Sequence, residues 1–73
     1  MKYEDELLPL EEYGEDYTIK IYKRMDCKYY ALVVYETDTE AKVIYTSKAT
    51  TMRSDAKRLA IKSAQKHESE NKK

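Results

Sequence analysis

From Tyr17 to Arg24 the chain alternates. "YTIKIYKR" sets Tyr17, Ile19 and Ile21 on one side of an extended segment and Thr18, Lys20, Tyr22 and Arg24 on the other. That period of two is the mark of a half-buried strand. The next run, "KYYALVVYE" at 28–36, is apolar on both sides and rich in β-branched and aromatic residues, as suits a central strand. A third run, "AKVIYT", occupies 41–46. The links "MDCK" and "TDTE" are short, so neighbouring strands must run antiparallel, and Asp26 tolerates the positive φ a tight turn often needs. The pattern predicts a meander with strands over about 17–24, 28–36 and 41–46.

After Thr50 the period becomes helical. In "TTMRSDAKRLAIKSAQKHE", Ala56, Ala60, Ala64 and His67 fall on one side of a helical wheel, flanked by Leu59 and Ile61, which predicts a helix over about 52–68. Ser47, Thr50 or Thr51 is the expected N-cap, with Asp55 favourably placed in the first turn. Alanines at four-residue spacing let the helix axis approach a sheet closely. The expected fold class is α+β: a three-stranded antiparallel meander with a C-terminal helix packed on one face and the other face partly open. Residues 17–68 form this βββα domain. Residues 1–16 are expected to be an acidic arm or a short helix, because Pro9 removes a backbone donor and Gly14 punctuates. Residues 69–73 carry no apolar side chain and are expected to fray.

Charge changes this picture at the N-terminal end. Formal net charge is zero over 73 residues, yet residues 1–16 hold seven acids against one base, a formal −6. Residues 17–73 hold thirteen bases against seven acids, a formal +6. Such asymmetry marks an interaction tail, or an acidic segment that folds back and neutralises the basic body. A chain this short buries only about 60% of its unfolded surface, and Cys27, the one cysteine, offers no disulfide. Oligomerisation, as in a homodimer, or a partner could add stability. The lack of a cysteine pair and of an apolar targeting run predicts a cytoplasmic protein with no membrane association.

Candidate chemistry is sparse. Arg53, Lys57, Arg58, Lys62 and Lys66 give the helix a basic side, which serves either phosphate or plain solvation. There are eight tyrosines and no Phe or Trp. Tyr22, Tyr29, Tyr35 and Tyr45 cannot all lie under the helix if alternation holds, so some should mark an open contact face. His67, alone beside Glu68 and Glu70, is a poor metal site, and Cys27 lacks a partnered His. With Gly14 the sole glycine there is no phosphate-cradling loop. No catalytic residue, cofactor or metal is expected, and the chain does not read as an enzyme.

The three strands followed by "RSDAKRLAIKSA" resemble the double-stranded-RNA-binding domain, whose last helix opens Lys-Lys-x-Ala-Lys-x-x-Ala-Ala. Arg53, Ala56, Lys57 and Ala60 match; Ser54 and Ile61 differ, and "MDCK" stands where that family has Gly-Pro-x-His. The strand–turn–strand–helix rhythm from Lys28 to Lys57 is also similar to the arm-type DNA-binding domain of phage integrases. Spacing of the "S-K, A-x-x-A" kind resembles a family of short bacterial domains of unknown function. A Tyr-rich chain with an acidic N-terminal segment, one sheet and one helix further resembles small phage inhibitor proteins. The last resemblance implies a module that binds a host protein, such as a component of a defence system, in the manner of anti-CRISPR proteins. Glu11, Glu12, Tyr13, Tyr22 and Tyr35 would form that surface. The first two imply the alternative, nucleic-acid binding through Lys20, Arg24, Arg53, Lys57 and Arg58.

Overall fold

The computed structural model describes residues 5–71. Tyr3 and Glu4 of the acidic segment, and Lys72 and Lys73 of the tail, lie outside the described residues. The fold is α+β: an antiparallel sheet with one C-terminal helix packed against it. Among the described residues the sheet has five strands rather than three. They are β1 (Glu6–Leu7), β2 (Glu11–Tyr13), β3 (Tyr17–Lys23), β4 (Tyr29–Glu36) and β5 (Ala41–Thr46), followed by α1 (Arg53–Asn71). The long path runs β1-β3-β4-β5, with β2 also on β3. The three long strands form the expected meander.

The acidic segment is neither a helix nor a loose arm. β1 and β2 both pair along the outer edge of β3, with Leu7 opposite Tyr22 and Glu11 opposite Ile19. Between those pairs, residues 8–10 stand opposite only residues 20 and 21, a bulge of one residue. Pro9 sits in that bulge, where the strand can do without its missing N–H, while Leu8 N–H donates to the Ile21 carbonyl at 2.9 Å. The extra residue turns the strand over. An unbroken ladder from β1 would set Glu11 opposite Thr18, on the face away from the helix. The bulge sets it opposite Ile19, on the helix side. Gly14, at φ +65°, then begins the loop that returns the chain into β3.

Alternation places the core as the pattern implies. Tyr17, Ile19 and Ile21 of β3 and Ala31 and Val33 of β4 meet Ala56, Ala60 and Ala64 of α1, all buried. Each fully buried Ile or Val contributes roughly 1.5–3 kcal/mol; the alanines contribute little area but allow the close approach. A register shift at Val33/Val34 opposes Val33 to Tyr45 and Val34 to Val43. This bulge in β5 lets both Ile44 and Tyr45 pack toward the helix-side core.

Local details depart from expectation in three places. Cys27, not Asp26, takes the positive φ (+66°) in the β3–β4 turn. Arg24 closes that turn at both ends, its carbonyl accepting from Cys27 N–H and its N–H donating to the Lys28 carbonyl. This is a three-residue hairpin loop whose last residue is left-handed. No expected N-cap caps α1. Ser47 is buried against β4, its Oγ accepting from Ala31 N–H at 2.8 Å. Thr50 bridges to the Tyr29 backbone, and the Met52 carbonyl takes the first helical bonds. Finally, residues 69–71 remain helical, one turn beyond the expected end.

Candidate functional site

The sheet has two faces, and the helix covers one. Register assigns the open face: Leu7 of β1, Thr18, Lys20 and Tyr22 of β3, Tyr30, Leu32, Val34 and Glu36 of β4, and Val43 of β5. Leu7 and Val43 are 49% and 53% exposed. Beside Leu7 the rings of Tyr22 and Tyr30 stack, 5.2 Å between centroids and 11° between planes; Val43 lies farther along the face, opposite Val34. Stacking is the outcome of direct cross-strand pairing, Tyr22 opposite Tyr30. The Tyr30 hydroxyl donates to Asp5 Oδ2 at 2.7 Å. Burial, helped by that hydrogen bond and the Asp5 charge, pushes the Tyr30 phenol up to about 12. The tyrosine therefore stays neutral through the physiological range, a hydrogen-bond donor on an apolar base.

The tyrosines divide differently from expectation. Tyr13 and Tyr35 lie on the helix side, with Tyr29 and Tyr45, packed against the core. Tyr35 is thus not part of the open face, because the paired register with Tyr17 sends it under the helix. Its ring centroid lies 4.8 Å from that of His67 and 5.2 Å from that of Tyr17. The Tyr17 hydroxyl is hydrogen-bonded to Nδ1 of His67 at 2.7 Å, so the histidine satisfies a buried phenol. Burial raises the Tyr17 pKa and keeps the phenol protonated. This aromatic group holds the C-terminal half of α1 on the sheet. Among the described residues no three His, Cys, Asp or Glu side chains gather as for a metal ion.

Of the five candidate cations, Arg24, Arg53, Lys57 and Arg58 are engaged in ion pairs and Lys20 stands apart. Glu11 receives Lys57 Nζ at 2.9 Å and Arg53 at 3.3 Å. The hydrogen bond from Lys57 holds the Glu11 carboxyl below its usual range; the charges of Lys57 and Arg53 act the same way, and partial burial opposes them. Arg58 pairs with Asp55 at 2.7 Å and Arg24 with Asp26 at 3.2 Å. Lys20 lies on the opposite face of the sheet from the helix. The five residues that would grip nucleic acid therefore do not form one surface. Glu12, opposite Thr18, is exposed on the open side.

Sequence reasoning missed Tyr30, Leu7 and Val43. Tyr30 was legible in principle, since a three-residue turn after Arg24 fixes its pairing with Tyr22. Leu7 was not, because a two-residue strand has no period to read. Compared with known proteins, the chain matches no family model, no curated protein and no solved structure. No described helix is long and apolar enough to cross a membrane.

Proposed function

We propose that this chain is a small, non-enzymatic protein-binding module of the cytoplasm whose docking surface is the open sheet face around Tyr22 and Tyr30. The observation that carries this reading is the stacked tyrosine pair with half-exposed Leu7 beside it on the same face. Rigid aromatic area on a sheet face is what interface hot spots are made of. Glu12 and Lys20 supply charge of both signs at the rim. A role as inhibitor or regulator of a host protein, encoded by a phage or mobile element, fits a chain of this size and composition.

The alternative, nucleic-acid binding, has less to support it. The strand–strand–strand–helix rhythm keeps the likeness to the double-stranded-RNA-binding domain. Acidic strands nevertheless precede β3 where that family uses a helix to touch RNA, and Glu11 already neutralises Arg53 and Lys57. The test is affinity capture from extract of the source cell, with and without nuclease treatment, comparing the intact chain with Tyr22→Asp. A protein retained by the first and lost by the second is the expected result. Retention that disappears with nuclease would overturn the reading in favour of nucleic acid.

A further inference from the structure

The helix does not sit symmetrically on the sheet. It packs on β3 and β4, and far less on β5. Its Arg53–Lys57 flank is closed by β2 through Glu11. On the other flank an open cleft of about 420 Å³ lies between α1 and β5, lined by Tyr45, Leu59, Lys62, Ser63 and Lys66. Lys42, opposite the helix-side Tyr35, projects from β5 on the same side of the sheet. Among the described residues Lys42, Lys62 and Lys66 form no ion pair. Among the described residues β5 is the edge of the sheet and pairs only with β4, so they leave its outer N–H and C=O groups unpaired, a template for one more strand.

From this juxtaposition we infer that the β5 edge and its lysine-rimmed cleft take an extended, acidic segment of a partner protein as a sixth strand. The molecule already shows the arrangement once, in cis. On the far edge β2 lays the sequence Glu-Glu-Tyr along β3, its first carboxylate on helix cations and its tyrosine ring 6.1 Å from that of Tyr17. A strand added to β5 would set alternate side chains between Tyr45 and Leu59, with carboxylates reaching Lys62 and Lys66. The intervening side chains would lie beside Val43 on the open face. A second copy of this chain is the wrong occupant. Two β5 edges paired about a two-fold axis bring like lysine rims together, and like-charge juxtaposition is unfavourable.

The probe is a synthetic peptide alternating Glu with Val and ending in Tyr, titrated into the full chain and followed by amide NMR. Expected are shifts confined to Ala41–Thr46 and to Leu59, Ser63 and their neighbours. A peptide with Lys in place of Glu should give none. The exposed double variant Lys62→Glu with Lys66→Glu should weaken binding at least about tenfold, as loss of a charged hydrogen bond implies. Its unperturbed amide spectrum elsewhere shows that it folds. Absence of shifts at β5, shifts centred on Tyr22 and Tyr30, or concentration-dependent dimerisation through β5 would each overturn the inference. Retention of a cellular partner that survives the double lysine variant but not Tyr22→Asp would sink this inference and leave the protein-binding function standing.

Discussion

Along the outer edge of β3 the chain lays two short acidic strands and ties one of them to the helix through Glu11; along the outer edge of β5 the described residues lay nothing. Both edges border the same helix and both carry cations. On the first edge those cations are matched, at 2.9 and 3.3 Å, and the backbone ladder continues. On the second, the lysines and the backbone groups are left to solvent. The difference separates what stabilises the fold from what is available to a partner. The formal −6 at the N-terminus is spent partly inside the molecule, which is why a basic body need not read as a phosphate reader.

The largest expected contrast is between the core under the helix and the open edge. Ile21→Ala should lower unfolding free energy by about 2–5 kcal/mol, since Ile21 is fully buried. Val43→Ala, on the exposed edge strand, should change it by less than about 1 kcal/mol. Urea denaturation of both variants measures this, and equal losses would break the distinction. Next in size, Ala60→Leu should cost roughly 1–3 kcal/mol by overpacking, while Lys62→Leu, at the rim of the open cleft, should be close to neutral. Equal melting temperatures would mean that the cleft flank of the helix is as closely packed as its alanine side.

Much of this was legible because periodicity reports burial directly. Tyr17, Ile19 and Ile21 alternate and are buried; Ala56, Ala60 and Ala64 recur every four residues and are buried. Where structure rests on pairing rather than period, the sequence is silent. Glu6–Leu7 and Glu11–Tyr13 are too short to show a period, and they become strands because β3 offers them an edge. Tyr35 was misplaced because the doubly apolar β4 gives no polar side to set its phase, so only the pairing with Tyr17 assigns its face. The helix also outran its expected end, although Glu68, Glu70 and Asn71 bring no apolar surface. The candidate site was half visible for the same reason: Tyr22 follows from alternation, whereas its partner Tyr30 follows from register.

Smaller effects sharpen the account of the acidic segment. Spectrophotometric titration should resolve one phenol ionising at about 12, Tyr30. Its raised value stabilises the fold below the ordinary phenol pKa, and that stabilisation is lost as pH climbs through the folded value. Asp5→Asn should lower the Tyr30 value but leave it above the ordinary one, because burial is the larger cause. An unchanged value would show that Asp5 does not hold Tyr30. Smaller still, Glu11→Gln should cost no more than about 1 kcal/mol at low salt, as expected of partly exposed ion pairs. Since the Glu11 pKa is lowered on folding, the cost should be full above the ordinary carboxyl pKa and vanish as pH falls through the lowered value. A loss independent of pH would assign the effect to packing.

The most direct test of the claim that the basic body is neutralised from within is a mobility-shift titration of intact chain and Glu11→Gln on duplex RNA and DNA at two salt concentrations. Deleting residues 1–15 is the poorer comparison, since it strips two strands from β3. The intact chain should give little shift at physiological salt. Glu11→Gln, which frees Arg53 and Lys57, should bind somewhat more tightly, without sequence preference and with a steeper salt dependence, because each added phosphate contact releases counterions. Tight, sequence-selective binding by the intact chain, abolished by Lys57→Glu with Arg58→Glu, would contradict the account and make the helix a nucleic-acid reader.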